Sequence, residues 1–117
     1  MLNLNHKKLD VWKLSVDLIA EIYSITGNFP KEELFGLTSQ LRRAAISVAS
    51  NIAEGASRKS KIERRRFFEI SRSSLVEIDT QLEISSVLDL ITIQQTNSIN
   101  EMLNKLFAKI TRLLERT

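Results

Sequence analysis

An all-α chain, folded as an antiparallel up-down-up-down four-helix bundle, is what this sequence predicts. Three observations carry that expectation. Apolar residues recur at three- and four-residue steps along four successive segments, the spacing that lines one helix face. Only three Gly and one Pro interrupt 117 residues, too few for a turn-rich β fold. The stretches between segments are short, and short links make packed neighbours run antiparallel. At this length one hydrophobic core serves one domain, residues 1–117, with residues 1–8 expected as a flexible tail.

The first helix is expected from about Leu9 to Thr26, where Val11, Leu14, Leu18, Ile22 and Ile25 share a face. Gly27 ends it. Pro30 then takes the first position of a short helical turn, Lys31 to Phe35, that opens the second segment. The second helix runs to about Glu54, with Gly55 as its C-cap. At about 100° per residue, Leu37, Leu41, Ala45, Val48 and Ile52 fall on one side. Gln40, Arg43, Ser47, Asn51 and Glu54 form a narrow polar stripe roughly opposite. Ile46, Ala49 and Ala53 fill a flank that permits close helix approach.

A loop from Ala56 to Ser60 leads into the third helix, where Ser60 and Glu63 fit a capping box. Phe67, Ile70, Ser74, Leu75, Ile78 and Leu82 give its buried face, and it continues to Val87 or Leu88. A break at Asp89 to Thr92 precedes the fourth helix, which extends to about Glu115. There Ile99, Leu103, Leu106, Ile110 and Leu113 form a coiled-coil-like seam.

Composition narrows the chemistry. Hydrophobic residues are 43% and charged residues 26%, ordinary for a globular chain. The absence of Cys excludes disulfides, Cys-ligated zinc and thiol catalysis. No apolar run approaches the roughly 20 residues that span a bilayer, so no membrane partner is expected. The first ten residues, MLNLNHKKLD, lack the apolar core of a signal peptide. A cytoplasmic location is therefore expected. His6, the single histidine, stands in the tail, and no Glu-x-x-His pair or phosphate-binding glycine loop exists. No catalytic residue, metal ligand or cofactor is assigned.

Two features remain as candidate sites. The polar stripe Gln40, Arg43, Ser47, Asn51 and Glu54 fits either a binding or catalytic cluster or a hydrogen-bonded structural network. The second is favoured, because buried polar groups cost free energy unless paired. Glu77 and Glu83 are candidate partners for Arg43. The other feature is charge. The net charge is +3, yet the segment Arg42–Arg72 holds nine bases against three acids, which is +6. The remainder, with eight bases and eleven acids, is −3.

Within that segment Arg42, Arg58, Lys59, Lys61, Arg64, Arg65, Arg66 and Arg72 are the candidate nucleic-acid-binding residues. Bases in a helix's first turn oppose its dipole, so the run RKSKIERRR (58–66) points to service beyond the fold. Clustered Lys and Arg bind phosphates through charge and counterion release. An acidic protein partner and plain solubility are the competing explanations of the same run.

Several motifs also resemble a known family: Leu9-Asp10-Val11-Trp12, Phe29-Pro30, Phe35 to Ala45, Ser47 to Gly55, and Leu75 to Leu82. The densest, Ser47-Val48-Ala49-Ser50-Asn51-Ile52-Ala53-Glu54-Gly55, is long and specific. On these the chain is identified as a member of the four-helix-bundle family encoded in intervening sequences of bacterial 23S rRNA genes. The accessory variability proteins of diversity-generating retroelements resemble the same family. The resemblance covers nearly the whole chain and is weakest in the last 25 or so residues. It implies an antiparallel four-helix bundle and a homo-oligomer, a pentameric ring. For the retroelement relatives it implies nucleic-acid binding and a basic ring that engages a reverse transcriptase. It supplies no catalytic residues, and it assigns the stripe Gln40, Arg43, Ser47, Asn51 and Glu54 an architectural role. The expectation is a non-enzymatic oligomeric scaffold that binds RNA or DNA through a basic edge. The alternative is an adaptor that docks an acidic protein such as a polymerase or reverse transcriptase.

Overall fold

The computed structural model describes residues 1–117 and contains four α-helices: α1 (Asp10–Thr26), α2 (Ser39–Ser57), α3 (Lys61–Val87) and α4 (Ile93–Arg116). Cross-helix contacts fix their directions. Ser71 and Ser74 of α3 reach Val48 and Ser47 of α2, while Arg65 and Arg72 of α3 reach Leu114 and Thr111 of α4. In both pairs the numbering rises on one helix as it falls on the other, so the helices are antiparallel. The start of α1 shares a groove with the end of α4, which closes an up-down-up-down bundle of 43 × 27 × 20 Å.

The core holds the apolar faces that periodicity assigns. Leu18, Ile22, Leu41, Ala45, Val48, Ile52, Ile78, Ile99, Leu106 and Ile110 are fully buried. The buried face of α3 differs from the expected one over its first three turns. Phe68 and Ser71 are buried there, while Phe67 is half-buried and Ile70 exposed. The reason is the short distance to α2. Ser71 is small enough to let the helices touch, and its Oγ donates to the buried Val48 carbonyl at 2.8 Å. The fourth helix ends its seam on Leu114, with Leu113 half-buried.

Gly55 is not a C-cap. It lies inside α2, which continues to Ser57, and it is buried. A Cβ at this position would stand 2.6 Å from Phe68 Cε1 and 3.1 Å from the Arg64 carbonyl oxygen. Absence of a side chain, rather than backbone freedom, is what the site demands. Pro30 also departs from expectation. It precedes the first helical turn with ψ 151°, and Lys31–Glu33 form a 3₁₀ turn that passes into a π turn at Leu34–Thr38. There Gly36 leaves helical geometry (φ −115°, ψ −115°), and Phe35 is 93% exposed.

Capping is also redistributed. Ser60 Oγ accepts from the Glu63 amide at 3.3 Å, but the reciprocal bond is formed at α4 instead. Thr92 Oγ1 accepts from the Gln95 amide, and Gln95 Oε1 accepts from the Thr92 amide, a complete capping box. Asp89, with φ 58°, takes the left-handed position that ends α3, a conformation Asp tolerates better than most residues. Replacement of Thr92 by Ala is expected to cost about 1 kcal/mol. The check is urea denaturation, and an unmoved midpoint would show the cap to be idle.

Candidate nucleic-acid interface

The bundle's topology places four chain segments at one pole: the turn before α1, the α2–α3 link, the start of α3 and the end of α4. Segments 5–10, 54–66 and 109–116 together carry eleven bases and four acids, a charge of +7. The rest of the chain, with six bases and ten acids, is −4. The molecule is therefore a charge dipole along its long axis, and an anion approaching the basic pole meets a summed field.

The candidate bases divide sharply by what they touch. Five of them are held by the protein. Arg42 lies sixteen residues before Arg58, about 24 Å along the helix at 1.5 Å per residue. Its Nε donates to Thr26 Oγ1 at 2.9 Å, and its guanidinium stacks on Tyr23 at 4.4 Å. It stands apart from the basic pole and joins α2 to α1. Arg58 pairs with Glu54 at 3.0 Å and lies over Phe67. Arg64 donates to the carbonyls of Arg58 and Lys59, which shapes the α2–α3 link. Arg65 donates to the Leu114 carbonyl, which also accepts the Thr117 amide where α4 ends. Arg72 donates to Thr111 Oγ1 at 3.2 Å and lies over Phe107.

Lys59, Lys61 and Arg66 remain. All three are exposed, and none forms an ion pair, since the two ion pairs of the chain are Arg58–Glu54 and Arg65–Glu69. Their positive charge is free for a ligand. Four further bases were invisible as a group in the sequence, because α1 and α4 are the two ends of the chain. Lys8 from the turn before α1 and Lys109, Arg112 and Arg116 from α4 line one groove of about 470 Å³. The signal that locates them is topological. In an up-down-up-down bundle both chain ends share the pole of the middle link.

The polar stripe of α2 lies along the α2–α3 seam. Asn51 Nδ2 donates to the Ser47 carbonyl and to Ser47 Oγ, which also accepts from Ser74 Oγ at 2.9 Å. Ser74 is a member that the stripe's sequence did not reveal. Gln40, Arg43 and Glu54 are exposed, and Glu54 serves Arg58. Gln40, Arg43, Ser47, Ser74 and Glu77 line a second groove, of about 360 Å³. Arg43 pairs with neither Glu77 nor Glu83; Glu77 instead faces the Gln81 amide at 3.5 Å. No group of three His, Cys, Asp or Glu side chains is placed to hold a metal ion. No helix is long and apolar enough to cross a membrane.

The bundle is similar to known structures. One, from Bacteroides thetaiotaomicron, is a protein of unknown function from the S23 ribosomal protein family. It superposes with a TM-score of 0.79 at 21% identity, over 89% of this chain and 97% of that one. At that identity the likeness establishes the fold. A search of curated proteins finds no match. The family itself is settled by sequence, because a family model matches residues 7–112, from the turn before α1 to the last turns of α4. With the motifs of α2 and the four-helix architecture agreeing, the chain belongs to the 23S rRNA-intervening sequence protein family.

Proposed function

We propose that this protein is a non-enzymatic, oligomeric scaffold that binds RNA or DNA through its basic pole. The observation that carries this function is the set of unpaired cations Lys59, Lys61 and Arg66 at a pole of charge +7. Bases that neither pair nor cap contribute little to folding, while each one neutralising a phosphate releases condensed counterions. Phosphate contacts of this kind fix position without reading sequence. Binding is accordingly expected to be tolerant of base order.

Exposed groups support assembly through the α2–α3 face. Arg66 borders that face, whereas Lys59 and Lys61 line neither of its grooves and stay at the pole. Ile46 and Ile70 are exposed beside the seam, and the groove charges Arg43 and Glu77 lack ion-pair partners within the chain. A second copy would supply partners for both. The ring of five that the resemblance implies would repeat the basic pole, so that weak individual contacts add by avidity.

The test is sedimentation alone and with mixed RNA and DNA. The protein is expected to sediment as an oligomer, to bind nucleic acid at about 50 mM salt, and to release it steeply toward about 200 mM. No retention at the lower salt overturns nucleic-acid binding, and a monomeric boundary overturns the assembly. One observation favours docking on an acidic protein as a second reading. Ile62, 82% exposed, stands among the bases of α3. An apolar side chain there would strengthen a protein interface and adds nothing to a phosphate contact. Failure to retain nucleic acid would leave this reading in place.

A further inference from the structure

We infer that the groove between the start of α1 and the end of α4 is a phosphate-binding site that takes backbone phosphates of the same nucleic acid. The inference rests on the nucleic-acid reading for its source of phosphate, and it adds a site formed by residues outside the basic run of α3. The groove, of about 470 Å³, is lined by Lys8, Lys109, Arg112 and Arg116, with Asp10 as its one acid. None of the four bases forms an ion pair, so the lining presents a net charge of +3 to whatever enters.

Helix electrostatics explains only part of this arrangement. Arg116 in the last turn of α4 complements the helix dipole, but that effect fades within one turn. Lys109 lies further in, and Lys8 stands beside the start of α1, where the dipole disfavours a base. Convergence of bases from both ends of the chain on one concave surface is left without a folding role. The amides of Asp10 and Val11, which make no backbone hydrogen bond, add to the same positive field.

The groove also borders the contact between α3 and α4. Arg65 and Arg72 reach across from α3 to α4 at Leu114 and Thr111, on the same turns that carry Arg112 and Arg116. Neighbouring helix axes lie about 8–10 Å apart. A duplex presents one charge per roughly 1.7 Å of its axis, so its phosphates can meet Lys109, Arg112 and Arg116, which recur at three- and four-residue steps along one side of α4. Arg66 lines the α2–α3 groove, on the other side of the bundle.

The experiment compares three full-length proteins: wild type, the groove variant Lys109→Ala/Arg112→Ala/Arg116→Ala, and the edge variant Lys59→Ala/Lys61→Ala/Arg66→Ala. Each is titrated with a fluorescent RNA oligonucleotide and a DNA duplex across a salt series, and separately with sodium pyrophosphate in a calorimeter. Circular dichroism confirms that each variant is helical. The groove variant is expected to bind duplex more weakly, with a log–log salt slope reduced by about 2–3, near 0.9 for each lost contact. Wild-type affinity and slope in the groove variant, with a weakened edge variant, would overturn the site and leave the nucleic-acid reading standing. Pyrophosphate heat that vanishes in the groove variant, without any change in oligonucleotide binding, would also overturn it. The groove would then serve a free phosphate compound. Absence of oligonucleotide binding in wild type would overturn the underlying reading and with it this source of phosphate.

Discussion

Replacement of Lys59, Lys61 and Arg66 by Glu is expected to abolish retention of RNA and DNA while leaving the bundle folded. Loss of three phosphate contacts alone weakens binding on the order of 10²-fold or more at low salt, and reversal of charge adds repulsion. These three are chosen on contacts rather than on sequence proximity. The adjacent Arg64 and Arg65 would confuse the result. Arg64 holds the carbonyls of the α2–α3 link, and Arg65 holds the last turn of α4 through Leu114. Their removal would alter the shape of the pole as well as its charge. Filter binding at about 50 mM salt, with thermal melting in parallel, makes the check. Unchanged retention in a folded variant would remove these residues from the interface.

Gly55→Ala is expected to destabilise the protein by about 1–3 kcal/mol, the usual range for an overpacked core site. The sign is what makes the measurement informative. In an exposed helix interior the same change stabilises by about 1 kcal/mol, because Ala is the better helix former. Here the added methyl would stand 2.6 Å from Phe68 Cε1 and 3.1 Å from the Arg64 carbonyl. The ring can turn only if its buried neighbours move, and the carbonyl belongs to the backbone of α3. Relief therefore means moving the start of α3 away from α2, which carries Lys61 and Arg66 with it. Urea denaturation checks the stability, with an unchanged slope showing that only stability has moved. A variant as stable as wild type would mean that the α2–α3 contact gives way without cost.

The two substitutions test different links of one chain of cause. Gly55 allows α3 to start hard against α2. That contact sets where the first turns of α3 stand, and in the proposed function their bases meet the ligand. Loss of binding together with loss of stability in Gly55→Ala would agree with this order of dependence.

Four helices and their directions were legible in the sequence because a 3.6-residue period and short links leave few other arrangements. Val48, Ile52, Ile78 and Leu106 each fall in the core where periodicity puts them. Local backbone chemistry was less legible. Gly55 carries the statistics of a C-cap, yet it is a packing residue, since its requirement comes from Phe68 thirteen positions away. Ser71 reads as a polar interruption of an apolar face, yet it is fully buried, because its hydroxyl has the Val48 carbonyl as partner. Both depend on what a neighbouring helix presents, and a single helix pattern carries no record of that.

By itself the sequence determined the fold class, the family motifs of α2 and the basic run from Arg58 to Arg66. Each of these is a property of residues near one another in the chain. Only the tertiary structure decided which bases are free. Arg42, Arg58, Arg64, Arg65 and Arg72 are occupied by rings, carbonyls and a carboxylate, whereas Lys59, Lys61 and Arg66 are not. It also decided that Lys8 and Arg116, 108 positions apart, share one groove. Charge acts through space, and the distances that set its strength are fixed only once antiparallel packing has brought both chain ends to the pole of the middle link.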